Sequence, residues 1–249
     1  VLRVPMKARG HGAVSLFLNY LSFVIGACLF GPWRLRDQQA DVVFVFEPSP
    51  VTVGLPAILF SRIKRAPVVF WALDLWPETL VATRAVSSPT LLGWIGHMVK
   101  FIYERCTLVL GQSHGFLAGI AKYCSDTQKI RYFPSWAEEV FNEPDIVPAP
   151  ELDQREGVFS VLFAGNVGEA QDLPAVLDAA ELLRHNTAIR WIIVGDGRKV
   201  DWLKGEVERR GLQASVLLMG RFPVERMPSF YMHADALLVS LKKDPIFQI

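Results

Sequence analysis

The sequence predicts an α/β protein made of two parallel-sheet domains, and three observations lead there. Continuous apolar runs of strand length, such as "DVVFVF", "APVVFWAL" and "SVLFA", recur and end in turn residues, the pattern of strands buried on both faces. Helical stretches separate them, so strand and helix alternate. The alternation stops at residues 137–156, which hold seven acidic residues and little apolar periodicity, and then restarts. This divides the chain into a first domain at 1–136, a linker at 137–156 and a second domain at 157–249. In such sheets ligands bind beyond the carboxyl ends of the strands, and the natural site of a two-domain chain is a cleft that both domains face.

Residues 12–33 carry no formal charge and are long enough to span a bilayer. Ser15, Asn19, Ser22 and Gly26 recur there at spacings of four, three and four, which puts them on one helical stripe. Phe17, Leu18, Leu21, Val24, Ile25, Cys28 and Leu29 take the remaining surface. Three readings stay open: a buried core helix, a helix lying against lipid, or a span. "DVVFVFEPSP" then reads as a buried strand, followed by a helix over 51–64 and the strand "APVVFWALD". Ser88-Pro89 starts a helix that runs to Arg105. "TLVLGQS" is a strand with its loop, 114–123 is helical, and "KIRYFPSW" is a strand. After the linker, "FSVLFAGN" leads to a helix over 173–183, and "IRWIIVGDG" to one starting near Lys199. "SVLLMGR" leads to a short helix near Pro228, and "DALLVSL" is the last strand.

Of 249 residues, 51% are hydrophobic and 20% charged, which describes a folded chain with ample core. The net charge of +1 hides an asymmetry. Up to Trp136 there are 14 basic and 7 acidic residues; the remainder holds 12 and 18. A basic half points to an anionic surface as partner. No basic helix and no interleaving of aromatic and basic residues supports nucleic acid. Cys28, Cys106 and Cys124 are dispersed, which argues for a reducing compartment and against a disulfide framework or zinc site. No HExxH, paired Cys/His set or carboxylate cluster is present, so neither metal nor cofactor is expected. The chain begins at Val1 without methionine and stops at Ile249. It reads as a fragment that lacks the first domain's opening strand and glycine loop and the last part of the second domain.

The candidate site residues lie at strand ends. In the second domain these are "AGNVG", "GDGR", "GR" and "LKKD". They contribute Gly165, Asn166, Gly168, Gln171, Gly195, Gly197, Arg198, Gly220, Arg221 and Lys242. Glycine admits close approach to the backbone, and a following helix N-terminus favours phosphate. Any one of these loops is equally a tight turn; several at one sheet edge point to an anionic ligand. The loop "FAGNVGEAQDL" is unusual for a phosphate cradle because it holds no lysine or arginine. In the first domain, "WALDLWPE" places Asp74 and Glu78 after a strand, as a base or as acceptors for substrate hydroxyls, or else as a turn cap and a first-turn glutamate. Trp71 and Trp76 read as core or as a sugar-stacking platform, with core favoured for Trp71. Ser113 and His114 follow another strand, but no GxSxG elbow surrounds Ser113, which discounts a hydrolase triad.

Taken together, "VFVFEPSPVTVGLPA", "FWALDLWPETLVAT", "IRYFPSWAEEVF", "FAGNVGEAQDLPAVLDAA", "IIVGDGR" and "RMPSFYMHADALLVSLKKDPIF" resemble bacterial glycosyltransferase family 4. The likeness is greatest to the branch that builds O-antigen and capsule, described as N-acetylfucosamine or N-acetylglucosamine transferases. It implies a GT-B fold of two Rossmann-like domains, with acceptor on the first and nucleotide sugar mostly on the second. It also implies metal-independent, retaining sugar transfer in which the main task is to stabilise the departing diphosphate. Carried onto this chain, Gly165, Asn166, Gly168 and Gln171 lie against the donor phosphates, and Gly220 and Arg221 near the base or ribose. Asp74 and Glu78 lie near the sugar or acceptor, with Trp76, Ser113 and His114 on the acceptor side.

Two departures are visible. Where many members have an arginine and a later lysine, this chain has Asn166 and Gln171-Asp172, and Leu73 precedes Asp74 where a histidine is common. The implied partners are a UDP-sugar, a polyprenyl-linked saccharide and an anionic membrane, at the cytoplasmic face. Two alternatives remain: a sugar-nucleotide 2-epimerase of the same architecture, which would need more acids and histidines in its cleft, or a nucleotide- or membrane-binding module without activity.

Overall fold

The computed structural model describes residues 1–10, 12–83, 85–142, 145–153 and 155–243. It divides into two compact units, Val1–Ser135 and Trp136–Lys243.

The first unit opens with α1 (Ala13–Arg34). A parallel sheet follows in the order β1 (Val43–Glu47), β2 (Val68–Ala72), β3 (Leu108–Gly111), β4 (Ile130–Tyr132). Helices α2 (Gly54–Lys64), α4 (Pro89–Arg105) and α5 (His114–Ala121) connect the strands. A one-turn helix α3 (Glu78–Ala82), which the apolar pattern does not announce, follows β2. Ser88 caps α4 by accepting from the Leu91 N–H at 3.4 Å, with Pro89 in the first turn, as its Ser-Pro start signal requires. Val45, Phe70, Val109, Val99, Ile102 and Ile120 form the core between sheet and helices.

β1 departs from the expectation of a strand buried on both faces. Val45 and Glu47 point into the core, whereas Phe44 and Phe46 are exposed, Phe46 edge-on and Phe44 tilted against the Trp71 ring. Alternate residues point to opposite faces, and the face that carries Phe44 and Phe46 is left exposed on this strand, one of the two edge strands of the sheet.

The stripe of small and polar residues on α1 is covered by the chain's own first ten residues. The Lys7 N–H donates to Ser22 Oγ at 2.8 Å, and the Gly10 N–H to Ser15 Oγ at 3.0 Å. Asn19 Nδ2 donates to the Lys7 carbonyl. At Gly26 a Cβ would stand 2.3 Å from the Pro5 carbonyl oxygen, so only glycine lets the strap lie this close. A second face, carrying Tyr20, packs on the core. The third, carrying Val14, Phe17, Leu21, Ile25, Leu29 and Trp33, is exposed. α1 is long and apolar enough to cross a membrane.

The second unit holds a parallel sheet in the order β7 (Val216–Gly220), β6 (Ile189–Val194), β5 (Phe159–Ala164), β8 (Ala236–Leu237). Its helices are α6 (Leu173–Leu182), α7 (Val200–Arg209) and α8 (Met227–Tyr231). The last strand is much shorter than "DALLVSL" implies. The expected linker also divides. Ala149 and Leu152 are buried in this unit's core, and the Ala149 carbonyl is 2.9 Å from His233 Nε2. The Ala149 N–H bond to the Ser229 carbonyl at 3.0 Å and the Arg226–Glu151 ion pair help to hold that part down.

Candidate functional site

In the first sheet, the strand register sets Glu47, Ala72, Gly111 and Tyr132 side by side at the carboxyl edge. Asp74 stands two residues beyond this row, half-buried, and its Oδ2 accepts from Trp76 Nε1 at 3.1 Å. Glu78, at the start of α3, accepts from Tyr123 OH at 3.2 Å and from Lys122 Nζ at 3.4 Å, which ties it to the end of α5. Burial and this carboxylate push the Tyr123 phenol up to about 12. Asp74 and Glu78 are thus oriented, and Asp74 keeps one carboxylate oxygen that no indole engages.

Three acceptor-side expectations are corrected or narrowed. Trp76 is not a stacking platform: it is 7% exposed, sits in the core and meets the Tyr20 ring at 6.3 Å. Its indole N–H is spent on Asp74. Ser113 is the N-cap of α5, accepting from the Phe116 N–H at 3.2 Å, which occupies its hydroxyl structurally. His114 is exposed, and its ring stacks on Tyr132 at 4.4 Å. Trp71 is core, with Nε1 donating to the Phe133 carbonyl at 3.1 Å.

The residue that sequence reasoning missed in this unit is Glu47. It is fully buried, and neither carboxyl oxygen meets a partner at hydrogen-bond geometry among the described residues, although the Asp74 and Leu73 N–H groups lie near enough to favour the carboxylate. Burial first, and then the nearby Asp74 carboxylate, push its pKa up to about 9; the Asp74 and Leu73 N–H groups oppose this more weakly. Glu47 is therefore a neutral acid at physiological pH beside a strand-end aspartate. Tyr103, also fully buried, has no partner for its hydroxyl among the described residues, and burial and Glu47 hold its phenol well above the usual range. A charged residue closing an apolar strand was the available signal, the same one that drew attention to Asp74.

In the second sheet the strand-end loops interlock. Gly165 N–H donates to the Val194 carbonyl at 2.9 Å, Val167 N–H to Asp196 at 2.9 Å, and Gly195 N–H to Gly220 at 2.8 Å. At Gly195, with φ +148°, a Cβ would lie 1.8 Å from the Gly165 carbonyl oxygen. At Gly197 it would lie 2.3 Å from that of Val167. These two glycines are therefore required by loop-on-loop packing, with or without a ligand. Gly165 and Asn166 are exposed at the rim, as are Gly220, Arg198 and Arg221. Gly168 is buried, and Gln171 turns inward: its Oε1 is buried against the Gly168 position without a hydrogen-bond partner. Gln171 thus does not present its carbonyl to a ligand, contrary to expectation.

Cations do reach this loop, from elsewhere in the chain. Lys199 and Lys242 both pair with Glu169 in its middle. Their backbone N–H groups also donate to Val167 and Ala170, at 3.0 and 2.7 Å. Neither Lys199 nor Glu169 was expected as a site residue.

A separate cavity of about 490 Å³ lies at the opposite, amino end of β5, lined by Arg155, Phe159, Ser160, Arg190 and Asp235. Arg190 is fixed there by bonds to Ser160 Oγ at 2.7 Å and the Asp153 carbonyl at 2.8 Å, which makes it a structural cation. Among the described residues no three His, Cys, Asp or Glu side chains converge as a metal site would require.

Comparison with known proteins bears on the fold and on the second unit's sequence. Residues 149–246 match the family model of glycosyl transferases group 1. A probable glycosyltransferase, WbjE of Pseudomonas aeruginosa, is 24% identical over 84% of this chain and 52% of its own length. The putative colanic acid biosynthesis glycosyl transferase WcaI of Escherichia coli (strain K12) is 29% identical over 47% of this chain and 29% of its own. The crystal structure of Anabaena HepE in complex with UDP-glucose superposes with a TM-score of 0.64 at 17% identity, over 88% of this chain and 57% of that one. The chain spans about half the length of WbjE and less of WcaI. Its two four-stranded parallel sheets are those of the GT-B fold, and its second unit carries the sequence pattern of the group 1 glycosyl transferases.

Proposed function

We propose that this chain is part of a retaining, metal-independent transferase. It moves a sugar, an N-acetylhexosamine, from a UDP-sugar to a lipid-linked saccharide during synthesis of a cell-surface polysaccharide such as O-antigen or capsule. The observation that carries this reading is the second sheet's edge, where interlocked glycine loops inside the family-matched segment expose Gly165 and Asn166 and gather two lysines. Such an edge suits a diphosphate, whose charge grows as the sugar departs. Amides and ammonium groups stabilise the leaving oxygen, and that oxygen accepts the proton of the incoming hydroxyl on the same face of the sugar. Arg198 and Arg221, exposed on neighbouring loops, are assigned to the nucleotide. Asp74, held by Trp76, accepts a hydrogen bond from the acceptor sugar, and Glu78 keeps its loop in place. The UDP-glucose complex of HepE and the glycosyltransferase relatives support the donor class.

The acceptor's lipid is assigned to the cytoplasmic leaflet. The exposed apolar face of α1 and Leu91, Trp94 and Phe101 on α4 would enter the interface, and Arg3, Lys7 and Arg9 on the strap would meet anionic headgroups. The test is transfer of radiolabelled N-acetylhexosamine from its UDP donor to a polyprenyl-diphosphate saccharide, with and without chelator. Sugar interconversion without acceptor would replace this reading with the epimerase, and UDP binding without either reaction would leave a binding module.

A further inference from the structure

The glycine loop of residues 163–173 has no cation of its own, yet it holds two acidic residues, Glu169 and Asp172, and Glu169 is the one the lysines meet. Lys199, the N-cap residue of α7 beyond β6, stands 2.7 Å from Glu169 Oε2. Lys242, beyond β8, pairs with Oε1. One carboxylate thus bridges two ammonium groups that arrive from the loops on either side of β5. The backbone bonds of Lys199 to Val167 and of Lys242 to Ala170 fix both lysines at this loop whatever their side chains do. The two ammonium groups hold the Glu169 carboxyl down at about 2, so it is ionised throughout the physiological range.

A bridging carboxylate offers two oxygens and one negative charge between two cations, the arrangement that two phosphate oxygens would make. The three side chains keep between 33% and 38% of their exposure, so solvent screens the pairs and opening them is easy. A diphosphate brings more charge than the carboxylate it meets.

Resting on the donor reading above, we propose that Glu169 is an internal counter-ion seated at the diphosphate position. Lys199 and Lys242 are then the cations that take the diphosphate when Glu169 is displaced. The lysines are kept from repelling each other without donor, and weakly charged anions must compete with a tethered carboxylate. The chain thereby gains selectivity for diphosphates over singly charged ligands.

The experiment is calorimetric titration of UDP, uridine and inorganic pyrophosphate into the full chain and the variants Glu169→Gln, Lys199→Met and Lys242→Met, with thermal unfolding of each. Glu169→Gln is expected to tighten UDP about tenfold and leave uridine unchanged, and each lysine variant to weaken UDP about tenfold. Equal or weaker UDP binding by a folded Glu169→Gln would overturn the inference. If no variant binds UDP but pyrophosphate still tightens in Glu169→Gln, the donor reading fails and the counter-ion stands. Binding of neither ligand by any folded variant overturns both.

Discussion

Replacing Glu47 by glutamine removes a buried titration and should change how stability depends on pH. Glu47 is fully buried, meets no partner at hydrogen-bond geometry among the described residues and lies near Asp74, which together push its pKa up to about 9. In the unfolded chain a glutamate titrates near 4.3. Between these values the folded protein holds one proton more than the unfolded one, so this residue makes stability fall as pH rises. The slope is about 1.4 kcal/mol per pH unit for a full proton, so across pH 5 to 8 the carboxyl removes on the order of 4 kcal/mol. Its contribution is fully present below the unfolded pKa and is lost as pH passes 9. Glutamine has nearly the same shape and does not titrate. Its extra N–H shifts stability by a constant, so slopes and not absolute values are compared. Urea unfolding at half-unit steps from pH 5 to 8 would show wild type losing stability relative to Glu47→Gln. Parallel curves would refute the reasoning, because they would mean Glu47 ionises in the fold as freely as in water.

Three further outcomes are expected. Gly195→Ala combines a positive φ with a Cβ 1.8 Å from the Gly165 carbonyl oxygen and should cost about 3 kcal/mol or more, measured by denaturant unfolding. Asp74→Asn keeps an acceptor oxygen but loses the charge that strengthens its hydrogen bond, so it should keep the fold and lower transfer about tenfold, and unchanged transfer would remove Asp74 from the acceptor site. Phe17→Glu with Leu29→Glu, on the exposed face of α1, should abolish sedimentation with anionic vesicles while leaving UDP binding intact.

What was legible in the sequence was whatever depends on local order. The strand-helix alternation, the Ser88-Pro89 helix start and the small-residue stripe of α1 all follow from spacings within a few residues, and the structure carries each of them. The strand ends could be found because glycine and aspartate interrupt apolar runs there. What could not be read depends on which strands are neighbours. β5 lies between β6 and β8, and only this order brings Lys199 and Lys242 to a loop without cations of its own. The inward turn of Glu47 and the exposure of Phe44 and Phe46 are equally hidden, because a run of apolar residues does not say which parity meets the core. Trp76 misleads because an indole beside an aspartate has the same letters whether it faces a sugar or a core.

The interlocking of the loops at Gly165, Gly195 and Gly197 bears on how this site can be altered. The neighbouring loop's backbone fills the space a side chain would need at Gly195 and Gly197, so these two positions accept no variation singly, whereas Gly165 has room for a methyl group. On the donor reading proposed above, ligand preference is open to variation at the exposed rim residues Asn166, Arg198 and Arg221, beside a glycine frame that stays constant.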